Sequence, residues 1–143
     1  YVNGTGNVST ENILERCYDY NKIVILPAFD TAKCSMTLMK VDNIKKDLAM
    51  GPRGILEPDP KRCKVVPVDC IDIAIIPSIA LDEKGSRLGS GEGYYDRLIP
   101  QLSITTRKVA LAIEEQIVQQ VPMESHDKHV DIIITVNRVI YKI

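Results

Sequence analysis

Residues 71–76 read IDIAII, a short run that is rich in β-branched side chains and almost continuously apolar. Such a run is typical of a strand buried on both faces of a parallel sheet, because a half-exposed strand would alternate apolar and polar residues. Three further runs share this character: residues 23–27 (IVILP), 109–113 (VALAI) and 132–136 (IIITV). Together the four runs predict a mostly parallel sheet at the centre of the fold.

Stretches with helical spacing lie between or before these strands. Helices are predicted after the capping candidates Ser9 and Thr10, over residues 43–50 and 114–121, and over residues 94–98. Alternation of helices with β-branched strands favours an α/β domain whose parallel sheet carries helices on both faces. A stretch with four of the eight prolines, residues 51–67, predicts a long irregular loop.

The composition is that of an ordinary globular domain. The chain has 143 residues, of which 45% are apolar and 26% charged, and its net charge is -1. Because it has no basic excess, it is a poor match for a nucleic-acid-binding protein. No apolar run is long enough to suggest a membrane-spanning helix. Four scattered cysteines without a C-x-x-C pair indicate buried thiols in a reducing compartment, so we expect a cytoplasmic protein.

The segment most informative about function is residues 82–97, which read DEKGSRLGSGEGYYDR. Its clustered glycines let a ligand approach the backbone amides closely, and amides ahead of a helix form a cradle for phosphate. Arg87 and Arg97 could neutralise the charge of that phosphate. The Walker and dinucleotide-binding fingerprints do not match. Composition alone therefore leaves two interpretations open, a phosphate-binding loop and a plain hairpin with a tight turn at Lys84-Gly85.

This segment resembles the signature R-L-G-x-G-x-G-Y-Y-D of the 5-formyltetrahydrofolate cyclo-ligase family, here residues 87–96. Further matches to the family occur in the same order along the chain: Met36, G-I-x-E-P at 54–58, P-x-x-x-x-D at 77–82, H-D at 126–127, V-D at 130–131 and I-I-T at 133–135. The resemblance implies a Rossmann-like fold. We expect one domain over residues 1–143 that lacks the N-terminal helix of the family.

The resemblance also implies an enzyme, an ATP-dependent ligase of one-carbon metabolism. In the reaction of the family, ATP phosphorylates the formyl oxygen of 5-formyltetrahydrofolate. The other folate nitrogen then closes the ring and phosphate leaves, giving 5,10-methenyltetrahydrofolate, ADP and phosphate. The resemblance implies ATP and Mg2+ as cofactors and a small-molecule folate as substrate, with no nucleic acid or membrane partner. The expected oligomeric state is a monomer.

Site residues follow from the resemblance position by position. The implied ATP contacts are Arg87, Gly89, Ser90, Gly91, Glu92, Gly93, Tyr94, Tyr95 and Arg97. The implied folate contacts are Val2, Asn7, Met36, Glu57, Tyr94 and Tyr95. Asp96 and Asp127 match the magnesium ligands, and the catalytic residues would be Arg87, Tyr95 and Asp96. Taken alone, Met36 also fits core packing, and Asp96 also fits a first-turn carboxylate of a helix.

Three positions depart from the family pattern, and one of them, Ser90 in the glycine loop, stands where relatives often have a basic or aromatic residue. Asn7 stands where the family has an acidic residue near the folate, and it keeps a hydrogen-bond acceptor without the charge. Glu92 places a carboxylate in the glycine loop, where it would repel ATP phosphates unless it points away or helps to hold magnesium. These positions keep a second hypothesis open, a diverged homologue that binds folate or a nucleotide without catalysis.

Overall fold

The computed structural model describes residue 1 and residues 8–89, 93–122 and 129–141. The chain divides into two compact units, one containing Ser9–Val68 and the other containing Asp69–Ile143. Each unit has its own cluster of buried apolar side chains. Among the described helices, none combines the length and apolarity needed to cross a bilayer.

The first unit is built on an antiparallel sheet. Its described elements are α1 (Glu11–Asp19), β1 (Ile25–Asp30), β2 (Ser35–Lys40), β3 (Leu48–Met50), β4 (Leu56–Pro58) and β5 (Lys64–Val65). Strand β2 lies between β1 and β5, while β3 and β4 form a separate antiparallel pair. The buried cluster of this unit consists of Leu14, Val24, Leu26, Met39, Val41 and Cys63.

Helix α1 confirms the helix predicted after Ser9 and Thr10. Thr10 occupies the N-cap position, but its hydroxyl donates to the carbonyl of Tyr1 at 2.6 Å instead of capping the helix. Leu14 is buried in the core of the unit, and the phenol of Tyr18 donates to the carbonyl of Val41 at 2.6 Å. That hydrogen bond attaches α1 to the residue that follows β2.

Two predicted elements of this unit are wrong, and the stretch predicted as an irregular loop, residues 51–67, contains β4 and β5. The run at 23–27 belongs to β1, which is antiparallel to β2, because only a four-residue turn separates them and a parallel pair needs a much longer crossover. The helix predicted at 43–50 is a turn followed by β3. Its start is diverted by side-chain bonds, since Asn43 Oδ1 accepts from the Lys45 amide at 2.9 Å and Asp47 Oδ2 accepts from the Asn43 amide at 2.9 Å.

The second unit contains the parallel strands. Its described elements are β6 (Ile73–Ile75), β7 (Ala80–Leu81), β8 (Arg87–Leu88), α2 (Tyr94–Leu98), β9 (Arg107–Leu111), β10 (Ile132–Ile134) and β11 (Val139–Tyr141). A sheet in the order β11-β10-β9-β6 has β6, β9 and β10 parallel and β11 antiparallel at the edge. Its buried cluster consists of Ile76, Leu81, Ile99, Ala110, Ala112, Val130 and Ile133. Three of the four predicted parallel strands are confirmed.

The fold is therefore mixed α/β, with one mostly parallel sheet among several small sheets. A helix predicted at 114–121 is wrong, because only a 3-10 turn at Glu114–Gln116 forms there. The Val118 amide donates to the carbonyl of Leu81 at 2.7 Å, so this stretch pairs with an extended strand. The thiols are also less buried than expected, since Cys63 is buried but Cys34 and Cys70 are exposed.

Candidate active site

A tight turn at Lys84-Gly85, one feature of the two interpretations left open by the sequence, joins β7 and β8 and leads into the glycine loop. The buried carboxylate of Asp82 organises this turn, since it accepts from the amides of Lys84 at 3.0 Å, Ser86 at 3.1 Å and Val121 at 3.0 Å. Gly85 takes a φ of 87°, in the left-handed region that favours glycine. The backbone that precedes Arg87 is therefore held in one conformation.

Arg87, in β8, is buried beside the carboxyl end of the parallel strand β6. Its Nε donates to Ser78 Oγ at 3.3 Å, its Nη2 to the carbonyl of Pro77 at 2.8 Å, and its Nη1 to Asp96 Oδ1 at 2.8 Å. Pro77 and Ser78 lie two and three residues beyond the end of β6, at the sheet edge where open α/β folds bind ligands. Burial lowers the pKa of Arg87 from its ordinary value, while the negative charge of Asp96 acts in the opposite direction.

Asp96 lies in the first turn of α2 with 30% of its side chain exposed. One carboxylate oxygen is bonded to Arg87, and among the described residues no partner is recorded for the other. A carboxylate with one anchored oxygen and one available oxygen fits a magnesium ligand, since Mg2+ is usually held by one or two carboxylates together with substrate phosphates. The described residues contain no cluster of three acidic, histidine or cysteine side chains that would hold a metal alone.

The local structure requires glycine at two described positions of the loop, Gly89 and Gly93. A Cβ built on Gly89 would lie 2.9 Å from Nη2 of Arg87, so a side chain there would collide with the guanidinium. Gly93 has a φ of 78° immediately before α2. Tyr94 is buried, and Tyr95 is half-buried against the core of the second unit.

In the first unit, the structure brings together Met36 and Glu57, two residues expected to contact folate. Met36 pairs with Phe29 in the β1–β2 register, and the Phe29 amide donates to Glu57 Oε1 at 3.0 Å. Glu57 is only 5% exposed, and its Oε2 has no hydrogen-bond partner among the described residues. The guanidinium carbon of Arg53 lies 4.4 Å from the centre of the Phe29 ring.

Gly51 completes this group, which we call the Glu57 cluster: Phe29, Met36, Gly51, Arg53 and Glu57. A Cβ built on Gly51 would overlap the carboxylate of Glu57 and lie 2.7 Å from its Cγ. A buried acceptor without a partner costs about 1–3 kcal/mol. The Glu57 cluster therefore presents a carboxylate oxygen suited to accept a hydrogen bond from a ligand.

Several expected site residues lie outside the described part of the chain: Val2, Asn7, Ser90, Gly91, Glu92 and Asp127. His126, of the matched H-D pair, also lies outside it. His129 is described, and its Nε2 lies 3.0 Å from Ser86 Oγ.

Comparison with known proteins identifies the family. The sequence model of the 5-formyltetrahydrofolate cyclo-ligase family matches residues 1–136. The chain belongs to this family. The matched range includes both the glycine loop and the Glu57 cluster.

Individual cyclo-ligases are similar in sequence to most of this chain. The 5-formyltetrahydrofolate cyclo-ligase of Escherichia coli (strain K12) is 29% identical over 140 residues, which are 97% of this chain and 77% of the relative. The enzyme of the same name from Mus musculus is 29% identical over 133 residues, covering 87% of this chain and 65% of the relative. The solution structure of Aquifex aeolicus 5,10-methenyltetrahydrofolate synthetase superposes with a TM-score of 0.81 and 28% identity, over 98% of this chain and 68% of that one.

Sequence reasoning did not single out four residues that contact the candidate residues: Phe29, Gly51 and Arg53 in the first unit, and Ser78 in the second. Phe29 carried a usable signal, because it is the only phenylalanine in the chain. Gly51 and Arg53 lie in the proline-rich stretch, where no periodicity indicated burial. Ser78 is buried because β6 ends just before it, which a local pattern does not reveal.

Proposed function

We propose that this chain catalyses the ATP-dependent conversion of 5-formyltetrahydrofolate to 5,10-methenyltetrahydrofolate, with release of ADP and phosphate. The formyl oxygen attacks the γ-phosphorus, and the bond to the bridging oxygen of ADP breaks. The other folate nitrogen then attacks the activated carbon and loses its proton, and phosphate leaves. The observation that carries the proposal is the placement of the signature. Its first residue, Arg87, follows a fixed turn, and its last residue, Asp96, is hydrogen-bonded to Arg87 at the same sheet edge.

The nucleotide is proposed to bind along the glycine loop. Backbone amides between Gly89 and Gly93 would donate to phosphate oxygens, and the exposed Arg97 would add positive charge. Ser90, Gly91 and Glu92 belong to this proposal through the family signature alone. Phosphoryl transfer depends mainly on positioning and on neutralising charge, which this combination supplies.

Mg2+ is proposed to bind Asp96 and Asp127. When bound, the ion would neutralise charge on the phosphates and hold them in line for transfer. The available oxygen of Asp96 supports this role. Asp127 enters through its match to the family.

Folate is proposed to contact the Glu57 cluster together with Val2, Asn7, Tyr94 and Tyr95. Glu57 Oε2 would accept a hydrogen bond from an N–H group of the pterin, and Met36 would pack against its flat ring. Because Tyr94 is buried, the half-buried Tyr95 is the ring that would stack on the same ring system. We also propose that the chain acts as a monomer in a Rossmann-like arrangement.

The test is to incubate the full chain with 5-formyltetrahydrofolate and Mg-ATP and to follow the methenyl product by its absorbance. We expect product only when ATP is present, with one ADP released for each methenyl group formed. A preparation of Asp96→Ala purified in the same way controls for contaminating enzyme. Binding of 5-formyltetrahydrofolate or ATP without turnover would instead identify a non-catalytic homologue.

A further inference from the structure

The buried guanidinium of Arg87 faces the protein in a way that a phosphate contact does not explain. Its side chain is 2% exposed, and its three nitrogens donate to Ser78, Pro77 and Asp96. An arginine that binds a phosphate through two hydrogen bonds directs its paired N–H groups at the ligand. Here the observed hydrogen bonds commit one N–H of each nitrogen to protein acceptors, and they place the positive charge next to Asp96.

Gly89 fits the same arrangement. The atom nearest to its missing side chain is Nη2 of Arg87, 2.9 Å from an ideal Cβ. This nitrogen is held by the carbonyl of Pro77 at 2.8 Å, so it cannot move aside without losing that bond. The absence of a side chain at position 89 therefore serves the guanidinium, whatever the loop binds.

Asp96 is the group that Arg87 can influence most strongly. The ion pair holds Oδ1 at 2.8 Å from Nη1, and this restricts the rotation of the carboxylate. Carboxylates that bind metals are commonly oriented by hydrogen bonds from outer partners, and loss of such a partner typically weakens metal affinity about 10–100-fold.

We propose that Arg87 is a positioning residue whose guanidinium, anchored by Ser78 and given room by Gly89, orients the carboxylate of Asp96 for Mg2+. This role rests on the proposed function, because it requires Mg-ATP at the loop. It assigns Ser78 to the site, and it gives Arg87 a role that acts through Asp96.

The experiment is a calorimetric titration of the full chain with ATP, in the presence and in the absence of Mg2+. Ser78→Ala removes the acceptor for Nε and should weaken Mg-ATP binding about tenfold. Binding of ATP without Mg2+ should change less than about twofold. Ser78→Thr keeps the hydroxyl and should restore the affinity for Mg-ATP. Arg87→Lys, which keeps the charge but loses the fork, should show the same selective loss.

An Asp96→Ala background isolates the path of the effect. If Arg87 acts through Asp96, adding Ser78→Ala or Arg87→Lys to Asp96→Ala should cause no further loss. Arg138→Met is the matched control, because Arg138 also pairs with carboxylates of the same unit, Glu83 at 2.9 Å and Glu114 at 3.1 Å. It should leave both titrations unchanged.

The proposal is overturned if the variants weaken ATP binding equally with and without Mg2+, or if their effect persists in the Asp96→Ala background. Either result would mean that the guanidinium contacts phosphate directly. An unchanged Mg-ATP affinity in folded Ser78→Ala and Arg87→Lys would also overturn it. Failure of the unmodified chain to bind Mg-ATP would overturn the proposed function first, and it would be seen before any variant is titrated.

Discussion

At the scale of single residues, Glu57 is the side chain whose environment most strongly suggests a ligand. Its two oxygens differ, since Oε1 is bonded to the Phe29 amide while Oε2 is buried without a partner among the described residues. The first oxygen fixes the orientation of the carboxylate, and the second is the acceptor that a pterin N–H would satisfy.

Glu57→Gln should raise the KM for 5-formyltetrahydrofolate about tenfold, which corresponds to ~1.4 kcal/mol and lies within the net contribution of about 0.5–1.5 kcal/mol for a typical hydrogen bond. The amide oxygen can still accept from Phe29, so the fold should be retained. The KM for ATP should stay unchanged in steady-state kinetics. Glu15→Gln, on the exposed surface of α1, is the control and should alter neither constant. An unchanged folate KM in Glu57→Gln would remove Glu57 from the folate site.

Gly51→Ala should destabilise the chain by about 1–3 kcal/mol, because the new methyl group overlaps the Glu57 carboxylate. In a Glu57→Ala background the space is open, so most of this loss should disappear when unfolding is measured in urea. Gly54→Ala provides the comparison, since its Cβ meets no atom within 4 Å and only its φ of 73° causes strain. An equal loss in both backgrounds would show that the contact with Glu57 is not the cause.

At the scale of elements, helix α1 is held by a buried polar contact as well as by apolar packing. The Tyr18 phenol donates to Val41, and burial, followed by the charges of Asp42 and Asp47, raises the pKa of Tyr18 to about 12. A group whose pKa is raised on folding stabilises the native state fully below its unfolded pKa of about 10. This stabilisation is lost as the pH rises from there through the folded pKa.

Tyr18→Phe should lower the unfolding free energy by about 1 kcal/mol at neutral pH, because the Val41 carbonyl loses its donor. It should also flatten the decline of stability between pH 10 and 12, the interval between the unfolded and folded pKa values. Urea unfolding at a series of pH values measures both effects. The exposed Tyr20 serves as the control position through Tyr20→Phe. A decline as steep in Tyr18→Phe as in the unmodified chain would contradict the assignment to Tyr18.

Element type was predictable where one kind of interaction determined it. Strands β6, β9 and β10 were predictable from their continuous apolar runs, although Ile73 in β6 and Ile134 in β10 are exposed, so burial on both faces is incomplete. The stretch at 43–50 has helical spacing, but Asn43 and Asp47 use their side chains to satisfy nearby amides. At 114–121 the competing partner is the distant Leu81 carbonyl. Such long-range hydrogen bonds leave no trace in local periodicity.

The candidate site, too, was predictable from the sequence only in part. The signature around Arg87 and Asp96 was visible in the sequence, because a family motif is a contiguous string. The ion pair between these residues and the anchoring by Ser78 were not visible, since they depend on where β6 ends. The Glu57 cluster combines residues from β1, β2 and the β3–β4 segment, and only folding brings them together.

At the scale of the whole molecule, each of the two compact units is small. The first, built around Ser9–Val68, is about 60 residues long, a size at which a single hydrophobic core is marginal. We therefore expect neither unit to be stable alone and the chain to unfold as one cooperative domain, as its length suggests.

Differential scanning calorimetry should accordingly show a single transition, with equal calorimetric and van't Hoff enthalpies. Met39→Ala in the first core and Ile133→Ala in the second should each lower the midpoint of that same transition, at a cost of about 2–5 kcal/mol. Two transitions, each sensitive to only one of the variants, would show that the units fold independently.

The steric contact between Gly51 and Glu57 also constrains how the sequence can drift over generations. A mutation that adds a side chain at position 51 is harmful while glutamate remains at position 57. It becomes nearly neutral once position 57 carries a shorter side chain. After both changes, restoring glutamate at 57 would meet the new side chain and be rejected by selection. The two steps are therefore tolerated in one order only. A descendant that lost this glutamate would soon be unable to regain it by a single substitution.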